Sequence, residues 1–340
     1  MLFLLILFGG NIIKSCSARN NLKAPINIIN LDRDVERWET VTSGLVSKGV
    51  CRGQIFRLPA VYGKDMSDDE FNSNTTAIAR QLCTPGMIGC HISHRLAWEK
   101  IARGSAPYQV VLEDDVIVSD NFMDRVESAV RELGECDEIA GDWDVLLLGA
   151  FGPVHFRGRH GLTRVNALIA GGGRKQRPIT EHCYVPRRPF GTHAYVLSQS
   201  GAHKLLRRAF YASGHLDCVI WGIRELKLLM CHPMLAYQDM SSVSTIGSAW
   251  GIENLLPDTL MVDNYSGVSM KWALNEPLLR IGNFILTIGR TLTVLVLGNI
   301  LGIALREKFP WIIPMNFVAT AFLWLLLRIM YQPAGEKIER

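Results

Sequence analysis

The sequence lacks the marks of several common classes. Its eight cysteines, at positions 16, 51, 83, 90, 136, 183, 218 and 231, contain no Cys-x-x-Cys pair. That scatter excludes the usual structural zinc site. Neither sign of charge dominates: 36 Lys and Arg face 32 Asp and Glu, a formal net charge of +4. So even a balance has no basic footprint, and no nucleic acid is expected as a partner. No internal repeat runs through the chain. The charged share, 20%, sits below the usual globular level, while 48% of residues are hydrophobic. The apolar excess is concentrated at the two ends, which points to membrane segments rather than to a larger core.

Residues 1–13 are almost wholly apolar, and the small residues Ser15 to Ala18 follow. Residues 1–18 therefore read as a signal peptide or a short signal-anchor. Near the other end, Ile281–Leu305 is apolar apart from Arg290, and Phe309–Leu327 is an uncharged run of 19 residues. A spanning helix needs about 20 apolar residues. Arg306, Glu307 and Lys308 join the two runs. Residues 281–327 are expected to form a transmembrane helical hairpin, with 256–280 as a linker and 328–340 as a polar tail. Pro310, Pro314 and Arg290 also suit a pair of interfacial or buried helices. A lumenal body would put the Arg306–Lys308 turn in the cytosol, in accord with the positive-inside tendency. The basic tail would then be lumenal, against the same tendency.

Between these ends the pattern is α/β. Pro25–Leu31 reads as a buried strand, Asp32 to Asp34 as the cap of a helix from Val35, and Gln54–Val61 as a second strand. Strand, helix, strand is a Rossmann-like start. Apolar spacing predicts a buried helix over Met87–Arg103 and further helices over Phe122–Leu133, Ser200–Tyr211 and Asp217–Leu229. Trp143–Leu148 and Gly191–Ser198 read as strands. Residues 151–190 hold eight Lys or Arg, one acid (Glu181) and the triple glycine Gly171–Gly173. They read as a long basic loop region that can include a hairpin, and that either closes over a diphosphate or an acidic acceptor, or is a solvated insert.

The most informative segment is Val110-Val111-Leu112-Glu113-Asp114-Asp115, an apolar run ending in three carboxylates. Open α/β sheets bind ligands at the carboxyl ends of their strands. Alternation puts Glu113 and Asp115 on one face and Asp114 on the other. Clustered anions repel unless a cation neutralises them. Oxygen ligands suit Mn²⁺ or Mg²⁺, ions that keep waters and hold a substrate diphosphate. The plainer alternative is a solvated turn after a core strand.

Several ordered motifs, taken together, resemble glycosyltransferase family 25, which includes bacterial lipooligosaccharide and procollagen galactosyltransferases. They are Ile29-Asn30-Leu31-Asp32-Arg33 with Arg37; Ala60-Val61-Tyr62-Gly63, where Tyr62 replaces the family's acid; and Thr84 through His94. Glu113-Asp114-Asp115, Trp143 through Gly149, and Gly191 through Ser198 continue the series. The resemblance assigns residues 24–255 to the catalytic domain. It implies a GT-A-type, nucleotide-sugar-binding fold and an inverting transfer of a hexose, often galactose from UDP-galactose. The acceptor would be a hydroxyl of a glycan, glycoprotein or glycolipid, and members typically use a divalent metal. With the apolar ends, the expected location is a membrane of the endoplasmic reticulum or Golgi with a lumenal catalytic domain, or the inner membrane if the source is bacterial.

Transfer of this kind needs charge neutralisation on the departing UDP and a base for the attacking hydroxyl. Glu113 and Asp115 are the expected metal ligands, with His232 a late third. Asn30, Arg33, Gly86, Gly89, Ser93, His94, Glu113 and Asp114 are the expected donor-binding residues. Gly86 and Gly89 suit close backbone approach or, equally, helix packing. His94 suits orientation of an acid or of the diphosphate, or a buried structural role. Asp217 is the first candidate base, Asp144 the second; Asp217 also suits a helix N-cap. A non-catalytic binding or scaffolding protein on the same fold is the alternative, as is a membrane protein whose hairpin is the working part.

Overall fold

The computed structural model describes residues 24–152, 161–239, 256–257 and 259–333. The expected signal or anchor segment, 1–18, lies outside the described residues. In chain order the body runs β1 (Ile26–Asn30), α1 (Val35–Ser47), β2 (Ile55–Pro59), α2 (Asp68–Ser73), α3 (Ala77–Leu82), α4 (Pro85–Arg103), β3 (Tyr108–Glu113) and β4 (Val116–Val118). It continues through α5 (Phe122–Glu135), β5 (Val145–Phe151), α6 (Gly161–Ala170), β6 (Arg177–Pro178), β7 (Cys183–Val185), β8 (Phe190–Ser198), α7 (Gln199–Arg208), α8 (Leu216–Ile220), β9 (Leu228–Cys231) and β10 (Ala236–Gln238).

Eight strands form one mixed sheet in the order β2-β1-β3-β8-β5-β9-β7-β6. β1 runs parallel to β2 and β3, whereas β8 lies antiparallel between β3 and β5. Alternation along β3 sorts its side chains into two layers. Val110 and Leu112 join Ile28, Leu146 and Leu148 beneath α1 and α5, through Leu45, Phe122 and Leu133. Val111, Leu147 and Tyr195 face the other way, against Trp98 and Ile101 of α4, Leu205 of α7 and Ile220 of α8. Each such side chain contributes about 1.5–3 kcal/mol by leaving water. Helices on both faces explain why the inner strands are apolar throughout.

α4 is set by its start. Thr84 Oγ1 accepts from the Met87 amide at 3.2 Å, and Pro85 occupies the first turn, where no amide is needed. Gly63 and Gly89 then let the Val61–Gly63 backbone lie directly on the helix: a Cβ at Gly89 would stand 2.5 Å from the Val61 carbonyl.

Three expectations are corrected. The loop region expected over 151–190 contains a helix, α6, ahead of the expected hairpin, formed by β6 and β7. The helix expected over Asp217–Leu229 stops at Ile220, and Leu228–Cys231 is instead β9, pairing with β5. The segment read as a linker is folded: β11 (Met261–Asp263), β12 (Val268–Ser269) and α9 (Met270–Asn275) lead into β13 (Pro277–Ile281). β13 pairs with β14 (Phe284–Thr287), so the apolar run from Ile281 starts as a hairpin of strands. α10 (Ile288–Ala304) begins only after Thr287, whose Oγ1 accepts from the Arg290 amide at 3.2 Å.

α10 packs on α11 (Ile312–Met330), with Asn316 Nδ2 donating to the Leu295 carbonyl at 3.2 Å. Among the described residues α11 is the one helix long and apolar enough to cross a membrane; α10 is shorter. Arg290 sits in the first turn of α10 and donates to the Ile285 carbonyl at 2.5 Å, so its charge lies at the helix end. α11 anchors to the body through Leu327, Met330 and Tyr331, which pack with Met87 and Ile88 of α4.

Candidate active site

A cavity of about 160 Å³ opens where β1 and β3 end and β8 begins. The antiparallel pairing of β3 with β8 puts Leu112 opposite Ala194, which brings the start of β8 beside Glu113. Thr192 Oγ1 donates to Glu113 Oε1 at 2.7 Å, and His94 Nε2 donates to the same oxygen at 3.2 Å. Behind it, Trp98 Nε1 donates to the Tyr195 hydroxyl at 3.0 Å, and that hydroxyl lies 2.9 Å from His94 Nδ1. A carboxylate that needs His94 to donate fixes the tautomer, so Tyr195 donates to Nδ1. Burial would raise the Glu113 pKa, but the hydrogen bonds from His94 and Thr192 hold it below the usual carboxylate value.

Asp114 turns to the other face, as alternation predicts. Asn30 Nδ2 donates to Asp114 Oδ2 at 2.7 Å, and Arg37 Nη1 to Oδ1 at 3.1 Å. Asn30 is itself buried and committed, accepting from Arg57 Nε at 2.7 Å. These residues brace the strand ends. Asp115 is different. Gln238 Nε2 donates to Oδ2 at 2.8 Å, while Oδ1 is buried with no hydrogen-bond partner among the described residues. Burial, then the Glu113 charge, push the Asp115 pKa up to about 7.

An unpartnered carboxylate oxygen beside a second carboxylate is a donor set for a hard cation. Among the described residues no group of three or more His, Cys, Asp or Glu could hold a metal by itself. Mg²⁺ is commonly bound by one or two carboxylates, with waters and phosphate oxygens completing the shell. Glu113 and Asp115 fit such a half-site.

Other expected site residues separate into groups. Gly86, Ser93 and His94 line the cavity. Ser93 Oγ accepts from the Val61 amide at 2.8 Å and donates to the Gly89 carbonyl at 2.7 Å, so it ties the loop to the helix. Gly89 serves packing, because Val61 and Gly63 occupy its open side. Arg33 does not line the cavity; its guanidinium lies 3.6 Å from the centre of the Tyr62 ring. That hydrogen-bonding cation lowers the Tyr62 pKa. Tyr62, standing where the family's acid is expected, does line the cavity.

His232 is not brought to the site. It lies beside Tyr265, whose hydroxyl is 3.1 Å from Nδ1, and it is absent from the cavity wall. Asp144 is corrected as a base. It is buried just before β5, while the cavity meets that strand at Phe151. Seven residues of strand separate them, roughly 20 Å at about 3.3 Å each. Its oxygens are held by Lys204 Nζ at 2.6 Å and the Lys227 amide at 2.8 Å.

Asp217 lines the cavity but is engaged on both oxygens. Oδ1 lies 2.9 Å from His215 Nδ1 and accepts from the Cys218 amide at 2.7 Å; Oδ2 accepts from the Gly191 amide at 2.5 Å. Burial would raise its pKa, but His215 and these amides hold it at about 2. Burial would likewise lower His215, yet Asp217 and Glu276 raise it well above the ordinary imidazole value. So acidic a carboxylate is a poor base. Nor is Asp217 the cap of α8, since His215 holds that position.

Thr192, His215, Gln238, Trp272 and Glu276 also line the cavity and escaped the sequence reading as site residues. Thr192 sits in a motif that was read, but its contact with Glu113 depends on strand register. Trp272 and Glu276 lie in the stretch read as a linker; the Trp272 ring packs at a tilt against Phe151, 4.9 Å between centres.

Comparison with known proteins gives a consistent answer. The profile of glycosyltransferase family 25 (LPS biosynthesis protein) matches residues 23–220. A probable inactive glycosyltransferase 25 family member 3 of Bos taurus is 31% identical over 123 residues, 36% of this chain and 18% of the relative. A glycosyltransferase 25 family member of Anopheles gambiae is 27% identical over 190 residues, 54% of this chain and 28% of the relative. Procollagen galactosyltransferase 1 of Danio rerio is 27% identical over 198 residues, 52% of this chain and 30% of the relative. The matched region thus spans less than a third of each of these relatives.

Proposed function

The chain belongs to glycosyltransferase family 25, and on that premise we propose that it is a metal-dependent, inverting glycosyltransferase with a GT-A-type fold. The donor is a UDP-hexose, with UDP-galactose the first choice, and the acceptor is a hydroxyl of a glycan, glycoprotein or glycolipid. The observation that carries this reading is Asp115: a buried, unpartnered carboxylate oxygen beside a braced Glu113 at the strand-end cavity. Glu113 and Asp115 would hold a divalent ion, Mn²⁺ or Mg²⁺, which supplies positive charge to offset that of the departing diphosphate.

The chain's own residues divide the work. Thr192 and His94 fix the Glu113 carboxylate so that it need not reorganise. Gln238 orients Asp115. Arg37 offsets the charge of Asp114, which Asn30 also hydrogen-bonds, and so keeps the strand tip from being a triple anion. For the acceptor proton we assign Glu276, a carboxylate on the cavity wall 3.3 Å from His215 Nε2. α11 tethers the enzyme to a membrane, and the relatives' names support a lumenal, secretory-pathway setting.

A second reading is a non-catalytic member of the family, favoured by the bovine relative being named probable inactive. A donor screen separates the two. The full chain is incubated with a panel of UDP-sugars and Mn²⁺, with and without chelator, and UDP release is measured. Release with one donor, lost with chelator and in Glu276→Gln, supports the enzyme. No release with any donor supports the second reading.

A further inference from the structure

A second cavity, about 410 Å³, lies away from the strand ends, between the end of α11 and the Gly171–Gly172 turn after α6. Four arginines line it (Arg188, Arg208, Arg224 and Arg328) against one acid, Glu225. Glu225 is already paired with Arg208 and, at 3.0 Å, with Arg207.

Arg188 is the decisive residue. It is 0% exposed. Its Nη2 donates to the Cys218 carbonyl at 2.5 Å, but Nε and Nη1 are buried with no partner among the described residues. No carboxylate forms an ion pair with it among the described residues. Leaving buried donors unmade costs about 1–3 kcal/mol, and more for a charged group. The fold nevertheless makes room for this side chain. A Cβ at Gly222 would stand 2.4 Å from Nη1, so the guanidinium occupies the space a side chain there would take. Arg328 closes the other side: its Nη1 donates to the Leu168 carbonyl at 3.3 Å, beside Gly171.

We propose that this cavity binds a phosphate group, as carried by an anionic phospholipid headgroup or by free phosphate. Guanidinium forks match phosphate oxygens in pairs, and a phosphate would satisfy the donors of Arg188 that the protein leaves unmade. The location suits a headgroup. Arg328 is in the last turn of α11, the candidate span, and its guanidinium lies 5.4 Å from the Trp324 ring. Aromatic and basic side chains together mark the level of lipid headgroups. The basic, glycine-rich stretch 151–190 thereby finds a use: its Gly171, Gly172 and Arg188 face this cavity, not the strand-end one.

The test uses the full chain in detergent, with binding followed by calorimetry. The probes are dihexanoyl phosphatidic acid, inorganic phosphate and, as a zwitterionic control, dihexanoyl phosphatidylcholine. Arg224→Gln/Arg328→Gln removes two exposed cavity charges, and its melting temperature is checked against wild type; should it fail to fold, Arg224→Gln replaces it. Saturable binding of phosphatidic acid, weakened at least about tenfold in the variant, is expected. If inorganic phosphate binds as tightly, free phosphate is the ligand; if it does not, the headgroup is. Absence of binding by both phosphates, equal binding of phosphatidylcholine, or unweakened binding in the variant overturns the proposal.

Discussion

Asp115 and Asp217 line the same cavity, and both are largely shielded from water, yet their surroundings pull them in opposite directions. Around Asp115 stand Glu113 and Asp114; the help it receives is one neutral amide from Gln238 and the weaker influence of the Arg37 charge. Around Asp217 stand a charged His215 and two backbone amides. The first ends at about 7 and the second at about 2. The difference teaches that burial alone assigns no role. A carboxylate left short of partners waits for a ligand, whereas one supplied with partners is part of the frame.

The sharpest way to break this contrast is Asp115→Asn. Turnover is expected to fall about 10²–10³-fold, as when a preorganised charge-stabilising group is removed. The same substitution should raise stability at pH 8 in chelator by roughly 2 kcal/mol, because the variant no longer ionises a crowded acid. Loss of activity together with a lower melting temperature would show that Asp115 is structural.

Asp217→Asn should do the reverse in the next largest effect. Breaking its pair with His215 is expected to cost about 3 kcal/mol in stability, read by urea denaturation at pH 7. A variant of wild-type stability would remove Asp217 from the frame.

pH sharpens the comparison further. The raised pKa of Asp115 means that its native site holds a proton the unfolded chain gives up near 3.8. That contribution is full below this value and is lost as pH climbs through about 7. Asp217, with its depressed pKa, contributes above 3.8 and loses that contribution as pH falls through about 2. In chelator the wild type should therefore be less stable at pH 8 than at pH 5.5, and Asp115→Asn should flatten that slope. The smallest effect is expected at Arg33→Gln. Arg33 is half exposed and stands off the cavity wall, so the donor KM should move less than about twofold.

Much of the body was legible because periodicity reports burial. The strand Val110–Leu112 and the helix from Pro85 to Arg103 stand close to where their patterns place them. Alternation also sent Glu113 towards α4 and Asp114 towards α1. What could not be read depended on partners distant in sequence. Asp144 and Asp217 are both acids beside apolar segments, and only the sheet shows one at the far end of β5 and the other clasped by Gly191. His232 sits in the right kind of sequence and the wrong part of space. Glu276 was invisible as a site residue because its neighbourhood reads as a connection; β13 and α9 bring it back to the cavity. The mixed character of the basic stretch 151–190 hid α6 and sent its arginines to an unexpected address.

The sequence by itself determined the alternating layers of the sheet, the acid-tipped strand, the family and the apolar helix that can cross a membrane, because these follow from local spacing and side-chain type. Tertiary structure alone decided which carboxylate is left hungry for charge and which is satisfied. It also decided that Arg188 lies buried with donors to spare. Those outcomes depend on burial and on partners far along the chain, such as Gln238 on Asp115 and Gly191 on Asp217, and these come together only once the chain has folded.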